Sequence, residues 1–186
     1  MSAVFEISLF LTRIEKAYSL LNECFGANLV LDDLLVVDNW EFKNQCKLDI
    51  GNLLSQVNKG KIAFAYGTLG NKHKCGFILY QIDNRVNSVN VWISSKHMPF
   101  LDNPINQDNE HIYNLITKYV AENLGEDLLL CGIGPEISIQ YKEKIADTIQ
   151  SGHGVYEWIV PKSHNIHIAG YKMTEHNECV VWRQTH

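Results

Sequence analysis

The 186 residues read as one α/β (α+β) domain, 1–186, with a central mixed, largely antiparallel sheet flanked by about three to four helices. Three observations lead there. A strand-period run passes into a helix-period run at the N-terminus. Three strand-like runs follow one another between residues 61 and 95, separated by turn residues. Helical and strand periods then alternate through the second half.

The elements follow in order. Phe5, Ile7, Leu9 and Leu11 alternate with Glu6, Ser8 and Phe10, the period of a strand. Thr12 to Glu15 has the spacing of a capping box. Ile14, Ala17, Tyr18, Leu21, Cys24 and Phe25 then share a helical face, with Gly26 as the stop. Residues 28–48 are open at this level: Leu29 to Val37 suits a strand or a short helix. A short helix over Asp49 to Asn58 ends near Gly60.

Lys61 to Thr68, Cys75 to Asp83 and Ser88 to Ser95 make an antiparallel meander, because Gly70-Asn71-Lys72 and Asp83-Asn84-Arg85 carry turn chemistry. A loop from His97 to Asn109 leads to a helix over Glu110 to Leu124. Its face is Ile112, Leu115, Ile116, Tyr119 and Val120, and Gly125 stops it. A strand through Cys131, a helix over Ile139 to Gln150, and strands near Val155–Val160, His167–Thr174 and Cys179–Arg183 complete the chain. There is no internal repeat or low-complexity tract.

Composition narrows the function classes. Hydrophobic residues make up 46% and charged residues 20%, which suits a globular core. A net charge of −5 argues against nonspecific nucleic-acid binding, which calls for a basic excess, and leaves a basic protein partner open. The five cysteines are spread along the chain without a C-x-x-C pair, so free thiols in a cytoplasmic protein are expected. The N-terminal segment lacks the basic start and cleavage site of a signal peptide. No run approaches the roughly 20 apolar residues that span a bilayer, so no membrane association is expected.

One phrase looks like a ligand loop: Cys131-Gly132-Ile133-Gly134-Pro135-Glu136. A dinucleotide loop needs a third glycine where Ile137 stands. Pro135 has no N–H to offer an anion, and Glu136 would repel one. Pro and Glu suit the first turn of a helix, so a strand-to-helix turn is the expectation here, with no cofactor.

The order of elements resembles that of the GCN5-related N-acetyltransferase fold. The resemblance implies an acyl-CoA site between the fourth strand and the next helix, built on a run such as [RQ]-x-x-G-x-[GA]. In this chain the connection is SSKHMPFLDNPINQDNE, residues 94–110, and no glycine occurs from Phe77 through Leu124. The resemblance therefore implies an acetyltransferase-like frame without its cofactor site, and a divergent N-acyltransferase as the enzymatic alternative.

The remaining motifs are weak carriers of chemistry. His164, His167, His176 and Cys179 are zinc-compatible residue types. A strand from Ile168 to Thr174 would hold them roughly 20 Å apart, too far to share an ion. Cys131 before a helix start has the placement of an activated thiol, but a buried strand cysteine packs as a small hydrophobe. No G-x-S-x-G or Walker A run occurs, so no catalytic and no metal residues are assigned.

Two aromatic-bearing acidic stretches stand out. Residues 32–42 contain Asp32, Asp33, Asp38 and Glu41 with Trp40; residues 100–110 contain Phe100, Asp102, Asp108 and Glu110. Aromatic anchors beside carboxylates suit docking to a basic protein, since the rings supply affinity and the charges steer encounter. In general character, a small acidic domain of this kind resembles the immunity proteins that bind and neutralise bacterial toxins. The resemblance implies a non-catalytic cytoplasmic binding protein with a basic toxin domain, such as a nuclease, as partner.

Overall fold

The computed structural model describes residues 4–25, 29–42, 46–47, 50–69, 73–94 and 107–185. Ten strands are present among them: β1 (Val4–Leu11), β2 (Leu29–Val37), β3 (Cys46–Lys47), β4 (Ile62–Leu69), β5 (His73–Asp83), β6 (Val86–Ser94), β7 (Leu128–Pro135), β8 (Glu157–Pro161), β9 (Tyr171–His176) and β10 (Cys179–Gln184). They form one sheet in the order β3-β2-β4-β5-β6-β1-β7-β8-β10-β9. The helices are α1 (Leu20–Phe25), α2 (Ile50–Val57), α3 (Gln107–Tyr119) and α4 (Ile145–Ser151). The longest, α3, has 13 residues and runs on into a π-helical turn, Val120–Leu124.

This corrects the expected architecture. Every described strand pairing is antiparallel, so the sheet is not mixed, and strands rather than flanking helices dominate the fold. The reason lies in what the connections skip. β6 and β7 are both antiparallel to β1, so they run parallel to each other, but β1 lies between them. A helical crossover that would place parallel strands side by side instead straddles an inserted strand. The acetyltransferase-like frame, which rested on element order alone, falls with the mixed sheet.

Side-chain alternation gives the sheet two unlike faces. On one, Phe5, Ile7, Leu9, Phe77 and Val91 pack with Leu20, Leu53, Val57, Tyr113, Ile116 and Val120 in the main core, all at 2% exposure or less. The other face is divided. Over β1, β7, β8 and β10, Phe10, Leu130, Trp158 and Trp182 are covered by Ile137, Ile139, Tyr141, Ile149 and Ile166. Over β2, β4 and β5, a third small cluster of Val37, Ile62 and Phe64 lies beneath the turn that follows β2.

The last hairpin starts later than expected, β9 beginning at Tyr171 rather than near His167, and two further local details depart from the sequence expectation. The Thr12 hydroxyl does not cap a helix; it donates to Asp127 Oδ1 at 3.1 Å. Beside it Arg13 holds both carboxylate oxygens, at 2.8 and 3.2 Å. The helix consequently starts later, with a 3₁₀ turn over Ala17–Ser19 before α1. The glycine phrase is also not a strand-to-helix turn. β7 runs straight through Gly132 and Gly134 to Pro135, and α4 begins only at Ile145. A Cβ on Gly132 would strike Ile139 and lie 3.1 Å from the Trp158 ring. The glycines thus let a covering layer press onto the strand. Among the described residues no helix is long and apolar enough to cross a membrane.

Candidate functional site

The turn after β2 is built from local polar geometry. Asn39 Oδ1 accepts the Glu41 N–H and the Asn39 carbonyl accepts the Phe42 N–H, each at 3.0 Å, the Asx chemistry of a tight turn. Phe42 takes a left-handed conformation with φ 56°, uncommon for a bulky residue. The Phe42 ring stacks on Phe64 at 5.0 Å, while Trp40 meets Tyr80 at 5.0 Å and Phe64 at 6.0 Å, edge to face. Trp40 remains 55% exposed, so it is anchored at its edge and open to solvent.

Strand register extends this patch across the sheet. Asp33 pairs with Tyr66, Tyr66 with Gly76, Gly76 with Trp92, and Trp92 with Glu6. The resulting row reads carboxylate, aromatic, gap, aromatic, carboxylate, and all five residues point to one face. A Cβ on Gly76 would lie 2.7 Å from the Trp92 indole; glycine lets that ring lie across β5 toward Tyr66, 6.0 Å away between centroids. Four strand spacings put Asp33 and Glu6 about 19 Å apart. Tyr66 is 43% exposed and Val30, one row along, 46%.

Charges rim the rings. Glu6 sits half-buried, and burial pushes its carboxyl above the ordinary range; a hydrogen bond from the Ile137 backbone opposes this and nearby Glu136 adds to it. Asp33 and Glu41 are exposed, and Asp38 lies 3.2 Å from Lys61. Asp32 occupies the bulge between Leu31 and Asp33, where strict alternation breaks. Lys74, opposite Thr68, is the basic residue on the neighbouring row.

The structure therefore gathers Asp33, Asp38, Trp40 and Glu41 of the first acidic stretch on one surface. Phe100 and Asp102 lie outside the described residues, and Asp108 and Glu110 fall at the start of α3, whose side chains there are not described. α3 packs through Tyr113 against Phe5, on the face opposite Trp40. Tyr66, Trp92, Gly76 and Glu6 were missed by sequence reasoning. Alternation marks Tyr66 and Trp92 as same-face residues of their strands, but only hairpin register makes them neighbours.

At the far end of the sheet, on the helix-bearing face, a second polar group is buried. Glu157 has no exposed surface. Its carboxylate accepts from Thr117 Oγ1 at 2.5 Å and from Arg183 Nε and Nη2 at 2.7 and 2.6 Å. Burial nonetheless outweighs these partners and raises its affinity for a proton. Arg183 also donates to Asn114 Oδ1 at 3.1 Å.

Among the described residues, the buried thiols and the tail histidines are not gathered into a reactive cluster. Burial raises Cys24 to about 12 and Cys75 to about 11, and pushes fully buried Cys131 well above the ordinary thiol range. Cys131 is thus held as a neutral thiol, the opposite of an activated nucleophile. His167 packs edge-on against Trp182. His176 pairs with Cys179 on the other side of the sheet, so strand alternation separates the histidines. No group of three metal-ligating side chains forms among the described residues. Compared with family models, curated proteins and solved structures, the chain shows no match.

Proposed function

We propose that this chain is a non-catalytic binding protein that receives a cationic protein surface on the open face of its sheet. The observation that carries the reading is the register row Asp33–Tyr66–Gly76–Trp92–Glu6. A lysine or arginine laid over Tyr66 and Trp92 gains from their π-faces and reaches a carboxylate at either end. Trp40 supplies an exposed aromatic anchor beside Asp38 and Glu41, and the net charge of −5 favours encounter with a basic partner. A basic toxin domain, neutralised by covering its working surface, is the partner class that fits this chemistry, and a cytoplasmic setting accompanies that reading.

The test has two stages. A tagged chain recovers its partner from the native host, and co-expression of the two is scored for relief of the partner's toxicity. Binding kinetics then compare variants. Trp92→Ala and Trp40→Ala should each weaken binding by about 2 kcal/mol, mainly through faster dissociation. Asp33→Lys with Glu41→Lys should slow association and flatten its salt dependence. Rates that none of these variants changes would reject this face as the docking surface.

A further inference from the structure

On the helix-bearing face of the last strands, the register places Lys172 directly opposite Arg183, and Arg183 directly opposite Glu157. Like charges opposed across antiparallel strands repel. The single carboxylate in the row, Glu157, lies against Arg183 and so offsets one of the two cations. Lys172, Thr174 and His176 alternate along β9 and therefore share a face. With Asn114, Thr117 and Arg183 they line a cavity of about 350 Å³, within the range of small-ligand sites.

The lining is rich in donors. Asn114 accepts from Arg183 through Oδ1, which leaves its NH₂ as the donor end of that amide. Lys172 brings an ammonium and Thr174 a hydroxyl. His176 Nδ1 is buried with no hydrogen-bond partner among the described residues, a state that calls for an explanation. Among the described residues no acidic side chain lines the cavity; Glu175, next along β9, pairs with Lys162 at 3.0 Å.

We propose that this cavity is a binding site for a small oxyanion, held between Lys172, Arg183 and His176, with the Asn114 amide and Thr174 hydroxyl completing its donors. The ligand supplies the second negative charge that the Lys172–Arg183–Glu157 row lacks. Carboxylate and phosphate share this chemistry. The site lies on the opposite face from Trp40 and Tyr66, so it stands independently of the docking reading.

Titration of the full chain with sodium acetate and with sodium phosphate, against sodium chloride at matched ionic strength, reads the site by NMR of the His176 ring and Asn114 amide. Saturable shifts with either oxyanion, absent with chloride, are the expected result, and the tighter of the two identifies the anion class. Lys172→Ala, at an exposed edge-strand position, should weaken binding at least about tenfold, with Lys172→Arg restoring it. The proposal is overturned if chloride produces the same shifts, if neither oxyanion saturates, or if the folded Lys172→Ala variant binds as wild type does.

Discussion

Glu157 enters the core as a carboxylate with no water to solvate it, and Arg183 and Thr117 stand in for that water. Such a pair is defended by its completeness rather than by net attraction, since desolvation of both charges nearly cancels their Coulomb energy. Removing one partner is therefore worse than removing both. Arg183→Met leaves the Glu157 carboxylate buried without a compensating charge. It should lower stability by about 3 kcal/mol, the low end of the range for buried pairs because Arg183 is itself 27% exposed. Glu157→Leu combined with Arg183→Met should cost less than that single change. Urea unfolding midpoints decide it: a double variant weaker than Arg183→Met would mean the pair is strongly attractive in its own right. Nothing in the run Tyr156–Val160 announces this residue, because strand periodicity reports which way a side chain points and not which partners two other elements will bring.

Within β7 the same limit shows in a different form. The apolar run before Gly132 made the strand legible, and the two glycines suggested where it ended. They instead mark where Ile139, Trp158 and Gly154 close down on it, contacts whose sequence separation hides them from any local pattern. Gly132→Ala should cost about 1 to 3 kcal/mol by overpacking, seen as a lower thermal midpoint. Ile139→Ala in the same chain should return part of the loss by clearing the blocked space. An additive double variant would show that the two residues do not share the space. The strands of the meander were legible because turn residues and period-2 alternation agree there. β2 was ambiguous because Leu34 to Val37 is a continuous apolar run. The register that joins Tyr66 to Trp92 depends on hairpin geometry, and the acidic row was therefore visible at Asp33 alone, its assembly not at all.

At the level of the whole molecule, buried carboxylates set an unusual response to acid. Burial raises the proton affinity of Glu6 and Glu157 above the ordinary value of 4.5, so the folded state binds these protons more tightly than the unfolded chain. Their contribution is most favourable below that ordinary value and is lost as pH rises through the folded one. Asp127 has the opposite sign. The Arg13 guanidinium, with Thr12 beside it, holds it below the ordinary 3.8. Its contribution is present above 3.8 and disappears as pH falls through its folded value. The net charge of −5 reinforces the first effect, because self-repulsion relaxes as carboxylates take up protons. Stability should therefore hold or rise between neutral pH and about 4.5, then fall below the ordinary aspartate value. Thermal midpoints across that span check the prediction. Glu6→Gln should flatten the upper limb, and Asp127→Asn should lower the midpoint at neutral pH and soften the acid drop. A wild-type midpoint that declines steadily from neutral pH to 4.5 would show that Glu6 and Glu157 do not hold their protons more tightly in the fold than out of it.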